Sequence, residues 1–186
     1  MEHCGTRLLE SERLLLRPFR PTDAADCLKN WASDPAIYRY ISGQPQTIQE
    51  ITQWLSSAEK AYASPETYYW AIEDKASRMV IGEIYVDDFS DRNCWCELSW
   101  KIGSAFQGKN FAFEASQVVI RYLTGVQPGF HRIQAKCCVE NLASERVMKK
   151  LGMAREGLLH GYFLDHKNQW QDVVVYGLVF GKTSTV

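Results

Sequence analysis

Residues 97–115, ELSWKIGSAFQGKNFAFEA, hold the densest chemistry of this 186-residue chain. A strand-like run enters a turn, Gln107-Gly108-Lys109-Asn110-Phe111-Ala112, and a helix opens from it. The first turn of a helix leaves backbone N–H groups without partners and carries the positive end of the macrodipole. A phosphate bound there satisfies both. Gly108 and Ala112 are small enough to let a ligand reach the backbone, and Asn110 tolerates a left-handed conformation. An ordinary strand-to-helix turn fits the same spacing. Other reactive side chains are scattered. Cys137-Cys138 offers a thiol nucleophile, but no histidine is evidently placed to activate it. His131 and His160 sit beside strands and read as structural first and as bases second. Glu114, one turn into the helix, reads as a charge that compensates the dipole.

The elements that must position this turn follow from pattern. Residues 13–19 (RLLLRPF) read as a first strand closed by Pro18 and Pro21. Thr22 is expected to cap a helix that ends at Asp34-Pro35. Thr47-Ile48-Gln49-Glu50 is a capping box, so a second helix is expected over residues 48–62. Strand-like runs at 68–73, 80–87 and 94–102 are separated by short turns and predict antiparallel hairpins. From Phe111 the period becomes helical: Ala115, Val118, Val119, Tyr122 and Leu123 recur on one face. Residues 133–139 read as a strand. Residues 141–151 read as a helix stopped by Gly152. Residues 157–164 and 172–180 form a closing hairpin around Asp165-His166-Lys167-Asn168. The expectation is one mixed α/β (α+β) domain over residues 1–186, with its core at about 9–180. It has a single, mostly antiparallel seven-stranded sheet, about four helices and one parallel crossover between residues 94 and 139.

The stretch QGKNFA resembles the cofactor-binding motif of the GNAT acetyltransferases, Gln/Arg-x-x-Gly-x-Gly/Ala. HRIQAKCCVENLASERVMKKLGMAREG resembles the second half of that family, with its strand, Asn-x-x-Ser step and helix ending in Lys-Leu-Gly. SERLLLRPFRPTDA and WQDVVVYGLVF fit its opening and closing segments. The resemblance covers residues 9–180 and is closest to the Rim-type ribosomal-protein N-terminal acetyltransferases. Two positions depart from it. Asn110 replaces a central glycine. Met148 stands where a tyrosine general acid often does.

The resemblance implies acetyl-CoA as co-substrate, no metal, and direct acetyl transfer to a primary amine. The amine would belong to a protein N-terminus or to a small molecule. The fold would splay between its fourth and fifth strands. The coenzyme pyrophosphate would lie on the amides of Gln107, Gly108, Lys109, Asn110, Phe111 and Ala112. Its pantetheine arm would run along the strand edge near Trp100 and Ile102, and a backbone N–H there would hold the developing oxyanion. Asn141 would bond the coenzyme or hold the strand-to-helix bend. Glu97 is the expected base, acting directly or through a water, with Trp95 as an apolar wall. Alternation puts Trp95, Glu97, Ser99 and Lys101 on one face, so Glu97 pairing with Lys101 or facing solvent stays open. Ser144 is the candidate to protonate the thiolate, or else a first-turn serine satisfying local backbone. Trp31, Tyr38 and Tyr40, with the 165–168 hairpin, form the substrate wall or belong to the core.

Composition narrows the alternatives. A formal net charge of -1 gives no basic field for a nucleic-acid backbone. No apolar run approaches the ~20 residues that span a bilayer, and the first five residues lack a signal-peptide core, so a cytoplasmic location is expected. The six cysteines lack zinc-site spacing and read as free thiols. A monomer or homodimer is compatible with all of this. So is a rival reading, a non-catalytic acyl-CoA sensor, which Asn110 and Met148 favour. A generic nucleotide-binding domain is disfavoured, because no P-loop or Rossmann glycine pattern is present.

Overall fold

A computed structural model describes residues 1–41, 43–125, 128–165 and 168–181. Eight strands form one sheet in the order β1-β2-β3-β4-β5-β6-β8-β7. They are β1 (Leu9–Glu10), β2 (Leu14–Arg17), β3 (Tyr69–Asp74), β4 (Met79–Ser90), β5 (Trp95–Ile102), β6 (Arg132–Cys138), β7 (Ala154–Leu164) and β8 (Trp170–Val179). The expected count of seven is corrected by β1, a two-residue strand antiparallel to β2. Two residues are too few for alternation to show.

Helices cover both faces. On one side α3 (Phe111–Leu123) and α4 (Leu142–Lys150) pack over the main core with Phe111, Ala115, Val119, Leu123 and Met148. On the other, α1 (Ala24–Cys27) and α2 (Ile48–Ala61) cover a second core built on Cys27, Ile51, Leu55, Ala71 and Val80. The capping box of α2 forms as expected: the Glu50 N–H donates to Thr47 Oγ1 at 3.3 Å and the Thr47 N–H to Glu50 Oε2 at 2.7 Å.

The first helical region differs from the expectation. Thr22 is not its cap. A 3₁₀ turn (Pro21–Asp23) leads into α1, and a π turn (Leu28–Ala32) follows. The capping oxygen belongs to Asp23, whose Oδ2 accepts the Arg20 N–H at 2.7 Å. Asp23 is buried and takes both terminal nitrogens of Arg17 at 2.8 and 2.9 Å, while Arg17 Nε donates to Glu73 at 2.7 Å. This fork ties β2, β3 and the helical segment together. Removing one member of a buried charge network strands the others without water.

The sheet is antiparallel except between β5 and β6. Their parallel register holds for three pairs only, Trp95↔Arg132, Cys96↔Ile133 and Glu97↔Gln134. Beyond these pairs β5 continues to Ile102 and β6 to Cys138 without pairing with one another. No helix among the described residues is long and apolar enough to cross a membrane.

Arg17→Leu should lower unfolding stability by about 3–5 kcal/mol, the usual cost of breaking a buried ion pair on one side. Urea denaturation measures it, and a loss below about 1 kcal/mol would show that Asp23 and Glu73 find other partners.

Candidate active site

The gap between the diverging strands opens into a cavity of about 660 Å³, in the range of small-molecule sites. Strand alternation divides its walls. Leu98 and Ile102 belong to the main core, with Trp100 packed against it, on the side of α3 and α4. Ser99 and Lys101 face the other side, with Tyr85 of β4 and the 3₁₀ segment Ile37–Tyr40. The cavity therefore passes through the sheet.

On the α3–α4 side the loop before α3 supplies Gln107, Gly108, Asn110, Phe111 and Ala112 to the wall. Asn110 is the N-cap of α3 in the left-handed region, φ 65° and ψ 13°. Gly108 has φ +76°, and a Cβ built there would meet nothing within 4 Å. Its surroundings are open to a ligand, and the conformation strains any other residue. Arg13 braces the loop, donating to the Lys109 carbonyl at 3.2 Å and pairing with Glu114. Lys150 Nζ donates to Asn110 Oδ1 at 3.0 Å, which ties α4 to the start of α3. Lys109 does not line the cavity; its ammonium lies over the Phe106 ring.

Asn141 and Ser144 lie together on this side, at the start of α4. Asn141 Oδ1 caps the helix, accepting the Ser144 N–H at 3.2 Å. Among the described residues Ser144 Oγ has no hydrogen-bond partner, so the hydroxyl is not spent on local backbone. Met148 is fully buried in the main core, whereas Ser144, Val147 and Lys150 face the cavity. Cys137 lines the wall, but burial pushes its thiol up to about 12. It is a poor nucleophile.

Glu97 sits at the fork of the splay, opposite Gln134. It is 6% exposed and does not itself line the cavity. Its Oε2 accepts Gln134 Nε2 at 3.0 Å and pairs with Lys136 Nζ at 3.0 Å. Lys101, the partner considered from sequence, is held by Glu83 instead, at 2.6 Å. Trp95 lies outside the cavity.

The expected acceptor wall is corrected in part. Tyr40 lines the cavity, but Trp31 and Tyr38 are buried in the second core, where Tyr38 OH donates to the Ala32 carbonyl at 3.0 Å. Their size and apolarity suit a core as well as a wall, and sequence alone could not separate the two. Asp165 and Asn168 do not line the cavity, and His166 and Lys167 lie outside the described residues. Ser99, Lys101, Tyr85 and Lys136 line the cavity on that side. The sequence signal for the first two was the alternation along β5; Tyr85 and Lys136 carried none.

Residues 13–154 match the family model described as acetyltransferase (GNAT) domain. The uncharacterised N-acetyltransferase p20 of Bacillus licheniformis is 30% identical over 173 residues, 92% of this chain and 95% of its own. The ribosomal protein uS5-alanine N-acetyltransferase of Escherichia coli (strain K12) is 34% identical over 115 residues, 60% of this chain and 57% of its own. RimL, a ribosomal L7/L12 alpha-N-protein acetyltransferase solved in complex with coenzyme A, superposes with a TM-score of 0.83 at 15% identity, over 94% of this chain and 98% of that one.

Acetyl-CoA should raise the melting temperature by ligand linkage, and NAD and ATP should do much less. Gly108→Val should weaken coenzyme A binding by at least about tenfold, equivalent to ~1.4 kcal/mol. Titration calorimetry reads this, and unchanged affinity would move the phosphate site elsewhere.

Proposed function

The chain belongs to the acetyltransferase (GNAT) family, and from that premise we propose that it moves the acetyl group of acetyl-CoA directly onto a primary amine. The observation that carries this reading is the cavity that passes through the splayed sheet. It offers a phosphate-binding turn on one face and a separate chamber on the other. The free amides that open α3 suit the pyrophosphate, and the open surroundings of Gly108 let it approach. β5 beyond Glu97 has no strand on its β6 side, so the pantetheine amides can extend the sheet along Trp100 and Ile102. A backbone N–H of the same edge holds the oxyanion as the amine attacks.

The amine arrives protonated and must lose a proton. Glu97 takes it through a water, since both of its bonds to side chains fall on Oε2 and the residue is buried without lining the cavity itself. Ser144, whose hydroxyl faces the cavity, gives a proton to the departing thiolate. Asn141 holds the turn that presents Ser144. The acceptor is a protein N-terminus, as in the ribosomal-protein relatives, or a small-molecule amine, and the reaction takes place in the cytoplasm.

Thiol release from acetyl-CoA, screened against amines and N-terminal peptides, tests the reading; release with no acceptor would overturn it. Glu97→Gln keeps shape and hydrogen bonding but removes the proton acceptor. It should lower kcat by about 10²–10⁴-fold, with part of the loss recovered at high pH where the amine is already neutral. Profiles of kcat/KM that run parallel at similar height would take Glu97 out of the mechanism. Ser144→Ala should lower kcat by about tenfold or more and leave coenzyme affinity nearly unchanged. A wild-type kcat, where chemistry is rate-limiting, would make solvent the acid.

A further inference from the structure

Beneath the chamber on the Tyr40 side, two ammonium groups are fixed by carboxylates that face away from it. Lys101 Nζ lies 2.6 Å from Glu83 Oε1, and Glu83 Oε2 accepts Tyr69 OH at 2.5 Å. Lys136 Nζ lies 3.0 Å from Glu97 Oε2 and 3.0 Å from Tyr162 OH. In both pairs the acid is sealed and the base is not. The Lys101 and Lys136 side chains are 25% and 24% exposed, against 4% for Glu83 and 8% for Glu97. Both lysines line the cavity, and among the described residues no aspartate or glutamate does. A chain of net charge -1 thus presents a positive chamber. Arg146 and Lys150 add to the lining, but from α4, on the coenzyme side of the sheet.

We propose that the acceptor amine carries an acidic group, a carboxylate or a phosphate, which seats on Lys101 and Lys136. This rests on the acetyl-transfer reading above and adds the substrate class. An ammonium has three donors, and Glu83 takes one from Lys101, so donors remain for a ligand. Burial works against the charge on Lys101, but Glu83 more than offsets it and holds the group above the ordinary lysine range, so it stays cationic. Fixed charges in a partly dry chamber attract an opposite charge more strongly than they would in water. A simple cationic amine meets the exposed ammonium ends there and no carboxylate on the cavity wall. An amino acid or a peptide with an acidic residue beside its N-terminus gains an ion pair, and the positive field also favours the neutral, nucleophilic form of its amine.

The test is thiol release at saturating acetyl-CoA with matched acceptors. Glutamate is run against its diamide, and the amidated dipeptide Ala-Asp against amidated Ala-Asn. The two pairs separate a free amino acid from a protein N-terminus as the source of the acid. The acidic member of at least one pair should show a KM at least about tenfold lower, and Lys101→Met should erase the difference while leaving the affinity for acetyl-CoA unchanged. Lys101→Met strips Glu83 of its partner, so Glu83→Gln/Lys101→Met is measured beside it, and the wild-type pairs decide the question even if both variants unfold. Neutral acceptors used as well as acidic ones would overturn the proposal. If no amine releases thiol, the acetyl-transfer reading fails by itself. Calorimetry of the coenzyme-bound protein with N-acetylglutamate against its diamide then decides the anion site, with selective binding of the acid supporting it and equal or absent binding overturning it.

Discussion

The early end of the parallel pairing between β5 and β6 is the constraint on which the site depends. β5 is held along its other edge by β4 from Trp95 to Ile102, and every residue of β6 pairs with β8. Each strand is thus committed to a different neighbour, and the two share only three pairs. Buried backbone polar groups must find partners, so the bare edges face either water or a ligand whose own amides match them. The gap is lined from both cores, by Leu98 and Ile102 of one and Ile37 of the other. Gly103, just past β5, lets the chain pass close to the π turn: a Cβ there would overlap the Asn30 carbonyl oxygen.

Electrostatics separate the two halves of that space. On the α3–α4 side the positive groups are the N-terminus of α3 and Lys150, which donates to the Asn110 side chain. On the opposite side the charges are lysines fixed by buried carboxylates. Orienting an ion pair so that one partner is sealed has a desolvation cost. The fold meets that cost twice at one chamber, and each time the ammonium is the end left accessible.

Most of the architecture was legible from local signals. The Thr47–Glu50 box fixed the start of α2, the change of period at Phe111 marked α3, and Gly152, with φ +81°, ended α4 as its position suggested. The turn that opens α3 was legible too, because the residues it gives the cavity wall are contiguous in sequence. What escaped were features set by long-range partners. Thr22 falls inside the 3₁₀ turn, and Asp23, gripped by Arg17 from six residues earlier, supplies the side-chain oxygen that accepts the Arg20 N–H. β1 exists only as a partner of β2. The partners of Glu97 and Lys101 come from β6 and β4, and no spacing along β5 announces them.

The strand order also bears on how the molecule assembles. β6 follows β5 through a single helical crossover, but its full-length partner is β8, which lies beyond α4 and β7. Until that last strand inserts, three residue pairs are all that tie β6 to the rest of the sheet. Contacts of such sequence separation form slowly, because the intervening loop entropy is lost before they are made. The second wall of the cavity is completed last in chain order, and a nascent chain that has formed its β4–β5 hairpin and α3 still has only half of its cavity.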